Sequence, residues 1–172
     1  MFGLFKPKLA PEGPVQFMVE MMIDCPAEEV YRLVDWADPK NAKVELGNTV
    51  APAEGCPGRF RMFMPLMPDL SFEFDVTDAE PGLVYGFDCR VTPQLGRLES
   101  SHELYRFEPV DENECKLVLV NTVNFLPGLT VKEMDEEVKR MSLACHNALV
   151  KLKVHAELGA TTVSAIEAHQ FS

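Results

Sequence analysis

No stretch of about 18 consecutive apolar residues occurs in the sequence, the length a helix needs to cross a bilayer. Neither a membrane span nor stable membrane insertion is therefore expected. There is no C-x-x-C pair either. Cys25, Cys56, Cys89, Cys115 and Cys145 are odd in number and widely spaced, which speaks against a zinc site and suits reduced thiols in the cytoplasm. None of His102, His146, His155 and His169 stands at a metal-binding spacing from another, so no metal is expected. The opening Met1-Phe2-Gly3-Leu4-Phe5-Lys6-Pro7-Lys8 lacks the charged leader and apolar run of a secretory signal, and a cytoplasmic location is the expectation. Positive charge is scarce: 16 Lys and Arg stand against 27 Asp and Glu, a net charge of −11. Such a chain repels a phosphate backbone and anionic headgroups, which argues against nucleic acid as a partner. G-x-S-x-G, P-loop and H-E-x-x-H patterns are missing too, and no cofactor is expected.

What is present is apolar. Hydrophobic residues make up 47% of 172, enough for the core of one domain and for lining a cavity. Residues 1–14 end in Ala10, Pro11, Gly13 and Pro14 and read as a flexible lead, with Phe2, Leu4 and Phe5 free to dock on the body or on a partner. Val15, Phe17, Val19, Met21 and Ile23 alternate strictly and predict a strand. Asp24-Cys25-Pro26 ends it and starts a helix whose buried face is Val30, Leu33 and Val34, with Trp36 closing the helix onto the sheet. Asp38-Pro39 allows a second short helix before Val44. Strands are then expected at Val44–Val50, Arg59–Met64, Leu70–Thr77, Leu83–Val91, Glu99–Phe107 and Lys116–Phe125, separated by proline and glycine turns or by a polar join. Two prolines in Pro65-Leu66-Met67-Pro68 suggest a mobile entrance beside Met62 and Met64.

Residues 130–157 contain neither proline nor glycine. Met134, Val138, Met141, Cys145, Ala148, Leu149, Leu152 and Ala156 form one helical stripe, and Gly159 is a plausible stop. His146 and His155 flank that stripe and are expected to face solvent. Residues 159–172 read as a loose tail. A long sheet with one apolar face must cover it, and this helix is the only element long enough. The fold class is therefore α+β: an antiparallel sheet of about seven strands wrapped around a long C-terminal helix, with two short helices after the first strand.

The segment Ile23-Asp24-Cys25-Pro26-Ala27-Glu28-Glu29-Val30-Tyr31-Arg32-Leu33-Val34-Asp35 resembles the opening of the Bet v 1-like (SRPBCC) superfamily, which includes START domains and polyketide cyclase/dehydrase proteins. Tyr31 stands where that family usually has tryptophan, and Cys25 where it has alanine. Leu152-Lys153 with Glu157, Gly58-Arg59-Phe60 and Tyr105-Arg106-Phe107-Glu108-Pro109 fit the same pattern. The resemblance covers residues 15–158 and implies a helix-grip fold with a cavity between the concave face of the sheet and the long helix.

Ligand-wall candidates follow from the inner faces: Phe60, Met62 and Met64; Phe72 and Phe74; Tyr85 and Phe87; Tyr105 and Phe107; Met141 and Cys145 on the helix. The competing expectation is that these side chains simply fill a core. Glu103 shares a strand face with Tyr105, and a desolvated carboxyl beside a tyrosine could handle a proton. Arg90 and His102 complete the polar candidates. The alternative for Glu103 is a solvated position at the rim, paired with Arg90 or Arg106. Three functions remain open: a binder of a small hydrophobic ligand (a lipid, polyketide or other aromatic or isoprenoid), a polyketide cyclase or aromatase-like enzyme, and a partner-binding regulator. Ligand identity and oligomeric state stay undetermined.

Overall fold

The computed structural model describes residues 7–170. The Phe2, Leu4 and Phe5 side chains lie outside them. In chain order the elements are β1 (Val15–Ile23), α1 (Ala27–Val34), α2 (Ala42–Glu45), β2 (Thr49–Pro52), β3 (Arg59–Met64), β4 (Met67–Glu80), β5 (Val84–Thr92), β6 (Leu98–Pro109), β7 (Cys115–Phe125), α3 (Val131–Leu158) and α4 (Ala160–Gln170). The strands form one antiparallel sheet in the order β1-β7-β6-β5-β4-β3-β2. This is the expected α+β helix grip. No helix among the described residues is long and apolar enough to cross a membrane.

Alternation sets the sheet's two faces. Register pairs Val19 with Leu119, Leu119 with Tyr105, and Tyr105 with Tyr85, so one row of inward side chains crosses four strands. A second row runs Phe17, Asn121, Glu103, Phe87. A third runs Val123, Ser101, Cys89, Phe74, Phe60. The opposite face carries solvated ion pairs such as Arg61–Glu73 at 2.9 Å and Lys116–Glu108 at 2.8 Å. Register shifts at Phe63/Met64, Val76/Asp78 and Leu98/Ser100 mark bulges, which bend the strands they interrupt.

The helices begin and end for local reasons. Pro26 sits in extended backbone at the N-cap of α1, with Glu28 and Glu29 in the first turn against the positive end of the helix. Thr130 and Glu133 form a reciprocal capping box on α3: the Glu133 N–H donates to Thr130 Oγ1 at 3.2 Å, and the Thr130 N–H donates to Glu133 Oε2 at 2.8 Å. Gly159, at φ +86°, adopts the left-handed region and ends α3 as expected. Helix α3 runs along β1 and against α1. Its C-terminal half is tied down where Lys153 Nζ donates to Met22 O at 2.8 Å and the Asp24 N–H donates to Glu157 Oε1 at 2.7 Å.

Four expectations need correction. Val44 begins no strand. Asn41 Oδ1 accepts from the Lys43 N–H at 2.9 Å, Ala42–Glu45 becomes α2, and the strand starts only at Thr49. The strand expected from Leu70 begins at Met67, which pairs with Met64 across a two-residue turn at Pro65-Leu66. Residues 8–10 are pinned beside the start of α3, since the Ala10 N–H donates to Leu129 O at 2.9 Å and the Val131 N–H to Lys8 O at 3.0 Å. The tail beyond Gly159 forms α4, which folds back on α3, buries Val163 and pairs Lys151 Nζ with Glu167 Oε1 at 2.6 Å.

Aromatic side chains lock the short helices onto the sheet. Trp36 stacks on Phe74 with ring centroids 4.0 Å apart and 9° between planes. Tyr31 meets Tyr85 edge-on at 5.5 Å and Phe107 at 5.4 Å. Such pairs contribute about 0.5–1.5 kcal/mol each beyond their buried area. The Trp36 backbone N–H donates to Tyr85 Oη at 3.0 Å in a buried site. Tyr85→Phe leaves that N–H without an acceptor, so the variant should lose about 1–3 kcal/mol of stability in urea unfolding. An unchanged midpoint with an unchanged slope would contradict this role.

Candidate functional site

The grip is closed along one side and open along the other. Under α1 and the C-terminal half of α3, the inward residues Ile23, Tyr85, Phe107, Leu117 and Leu149 are all at most 2% exposed. Toward β3 and β4, Phe60, Met64, Phe72 and Cys89 keep part of their surface accessible, as does Met141 on α3. A cleft enters between α2 and α3. Leu33, Val34, Trp36 and Leu46 form one wall, Ala148, Leu149 and Leu152 the other, and Phe87 with Tyr105 the floor. Lys43, Lys151 and His155 also line it. The cavity holds about 80 Å³. An apolar cavity of about 150 Å³ accommodates benzene, so in this form the cleft is smaller than one aromatic ring.

Local structure positions each wall. Asn41 is 1% exposed and ties the end of α1 to the start of α2: its Nδ2 donates to Val34 O at 3.1 Å and to Asp35 O at 3.0 Å. His155 Nε2 lies 2.6 Å from Glu45 Oε2, which joins α2 to α3 across the cleft. His155 is thus buried at 5% exposure, against the solvent-facing position expected from its place beside the stripe, while His146 is exposed. The reason is α2, which brings Glu45 against that flank of α3. Trp36 Nε1, His155 Nδ1 and Asn121 Oδ1 are buried without a hydrogen-bond partner among the described residues.

At the floor, Tyr105 Oη donates to Glu103 Oε2 at 2.8 Å. Glu103 lies on the inward row with Asn121 and Phe87, and protein surrounds its carboxyl. Burial raises its pKa above the ordinary 4.5, outweighing the Tyr105 hydrogen bond and the charges of Lys43 and His102. Burial and the neighbouring Glu103 also push the Tyr105 hydroxyl well up. In this pair Tyr105 is the donor and the Glu103 carboxyl the acceptor, and burial favours the uncharged form of each. Cys145 lies above them, its Sγ accepting from Asn121 Nδ2 at 3.1 Å. Burial pushes Cys145 to about 11 and Cys89 to about 12, so neither thiol is a thiolate nucleophile at neutral pH.

Of the eleven proposed wall residues, Phe87 and Tyr105 line the cleft. Met62, Phe74, Tyr85, Phe107 and Cys145 are buried in the core, and Phe60, Met64, Phe72 and Met141 lie on the half-exposed side. Glu103 and Tyr105 are brought together. Arg90 and His102 are not: Arg90 reaches Asp75 at 3.8 Å and His102 Nδ1 meets Asp88 Oδ1 at 2.9 Å, both on the outer face. Sequence reading missed Trp36, Lys43 and His155 as cleft residues. The one available signal was Asn41, a strong capping type just after Trp36 and Asp38-Pro39.

No protein-family model matches the sequence, and no curated protein matches it. Among solved structures, the di-domain ARO/CYC BexL superposes with a TM-score of 0.69 at 18% identity, over 84% of this chain and 47% of that one. This chain thus spans about half the length of BexL. The Zhui aromatase/cyclase from a Streptomyces species superposes with a TM-score of 0.58 at 16% identity, over 85% and 98%. A START superfamily protein from Mycobacterium smegmatis gives 0.57 at 14%, over 83% and 97%. At these identities the likeness is one of fold, the helix grip that the sequence resemblance implied.

The raised pKa of Glu103 has a measurable consequence. The folded chain keeps this proton at a pH where the unfolded chain has released it, so the group's contribution is complete below about 4.5 and declines as pH rises toward the folded value. Glu103→Gln does not titrate. The stability of the variant relative to the native chain, read from urea midpoints between about pH 5 and about pH 8, should improve as pH rises. A difference that stays flat with pH would show that the carboxyl is ionised and solvated in the folded chain.

Proposed function

We propose that this chain binds a small, largely apolar molecule in the α2–α3 cleft, with the Glu103–Tyr105 pair meeting the molecule's polar group. The observation that carries this reading is Tyr105, which lines the cleft among apolar walls and whose hydroxyl donates to the Glu103 carboxyl. Small-molecule sites combine apolar walls with a few converging polar groups in this way. A ring resting on Phe87 and Tyr105 gains apolar burial, and a carbonyl or hydroxyl group of the molecule meets the Tyr105 hydroxyl that is bonded to Glu103. The about 80 Å³ of the closed cleft sets a condition: α2 or the half-exposed side toward Met141 must yield to admit a ring.

A second reading, cyclase or aromatase-like proton transfer, is favoured by one specific observation. Burial raises the Glu103 pKa, the direction a general acid needs, and Tyr105 is bonded to its carboxyl. Two of the superposed structures are described as aromatase/cyclases, which keeps that chemistry within reach of the fold. Binding comes first because it requires only the cleft and its polar floor.

Calorimetric titration with 2-naphthol, a neutral phenolic probe, tests the binding reading. Ala148 is exposed and lines the cleft, so Ala148→Trp fills the entrance at little cost to the fold. The native chain should bind, and the variant should bind at least about tenfold more weakly, the loss of about 1.4 kcal/mol. Equal affinity in the two proteins would remove the cleft as the site.

A further inference from the structure

Trp36 Nε1, His155 Nδ1 and Asn121 Oδ1 are buried without a hydrogen-bond partner among the described residues, and the first two belong to residues that line the cleft. Trp36 is 8% exposed and His155 5%. The indole lies flat on Phe74, with 9° between the ring planes, so its N–H is held in place and donates to none of the described residues. An indole N–H can only donate. His155 Nε2 lies 2.6 Å from Glu45 Oε2. A carboxylate only accepts, so the proton of a neutral ring belongs on Nε2, and Nδ1 is left as an acceptor. A buried polar group left unmet costs stability, and a native interior seldom keeps one without a use for it.

The other polar groups of the cleft are engaged or reach solvent. Asn41 Nδ2 donates to Val34 O and Asp35 O, and its Oδ1 accepts from the Lys43 N–H. Lys151 pairs with Glu167, and both Lys43 and Lys151 keep part of their surface accessible. Tyr105 directs its proton to Glu103, which leaves its oxygen to accept. The unmet set is thus a donor at Trp36 Nε1 and acceptors at His155 Nδ1 and Tyr105 Oη. A carbonyl or an ether oxygen satisfies only the donor. A hydroxyl accepts from one group and donates to another. We infer that the cleft selects an alcohol or a phenol, with the Trp36 indole N–H donating to the ligand's oxygen and His155 Nδ1 accepting from its hydroxyl. Glu45 acts as a positioning residue, because it fixes the His155 proton on the other nitrogen. This rests on the cleft being the ligand site.

The test compares 2-naphthol with 2-methylnaphthalene, which has the same shape and no hydroxyl, by NMR titration of the native chain, Trp36→Phe and His155→Gln. Phenylalanine can still stack on Phe74, and glutamine can still reach Glu45. The readout is the ratio of the two affinities, in which any loss of packing common to both ligands cancels. The native chain should prefer 2-naphthol at least about tenfold, and each variant should lower that ratio at least about threefold. The nitrogen-15 spectrum of the His155 ring gives a second reading on the native chain alone, and it decides the matter should either variant fold poorly. At about pH 8 Nδ1 should carry no proton, and its resonance should move upfield with 2-naphthol and not with 2-methylnaphthalene. No preference in the native chain, a native-sized preference in either variant, or a proton on Nδ1 overturns the assignment while the cleft stands as a site. Failure of both ligands to bind the native chain overturns the cleft reading and the hydroxyl assignment together.

Discussion

A single helix cannot cover a seven-stranded sheet, and the rest of the molecule answers that shortfall. Seven strands at about 4.8 Å spacing span about 29 Å, whereas a helix with its side chains is about 10 Å wide. Helix α3 lies along β1 and α1. On its other side, Trp36, Tyr31 and the α1–α2 pair cover part of the inner face through stacked and edge-on aromatics. Beyond their reach Phe60, Phe72 and Cys89 remain partly accessible. The interior is consequently filled at one side and accessible at the other, with the α2–α3 cleft between.

Polar groups sit where this incomplete cover leaves room. Glu103 and Tyr105 occupy the centre of the sheet, on rows whose other members are mostly apolar. A close-packed core would exclude a carboxyl there, because desolvation disfavours its charge and an unpaired neutral form still needs partners. Burial raises the pKa of this one, and Tyr105 donates a hydrogen bond to it. Lys43 presents the complementary problem at the mouth, a cation with no carboxylate partner among the described residues. Lys43 and Tyr105, the latter bonded to Glu103, line one cleft, the placement expected where binding rather than stability has set the residue. Asn41 and the His155–Glu45 contact give that space rigid lips.

Most of the architecture was legible because alternation and helical spacing are properties of the chain itself. The inward rows, the long helix over residues 130–157, its stop at Gly159 and the role of Trp36 all follow from periodicity and capping chemistry. The cleft was harder to read. Apart from Phe87 and Tyr105 its lining comes from α1, α2, their connection and α3, so of the eleven strand and helix-stripe positions expected in the wall only those two line it. Helix α2 has only four residues, too few for a period to show, and its valine mimics the start of a strand. His155 looked solvent-facing because nothing in α3 announces that Glu45 packs against it. Helix α4 carries its apolar residues without a clear stripe and is fixed by Val163 and the Lys151–Glu167 pair.

The account rests on a carboxyl whose burial inside the sheet favours its protonated form. Carbon-13 NMR of the glutamate side-chain carboxyls, assigned with a Glu103→Gln sample, reads that proton directly. Glu103 should titrate clearly above 4.5, and its resonance should move when an apolar ligand binds. A Glu103 that titrates at or below 4.5 and ignores the ligand would contradict the site.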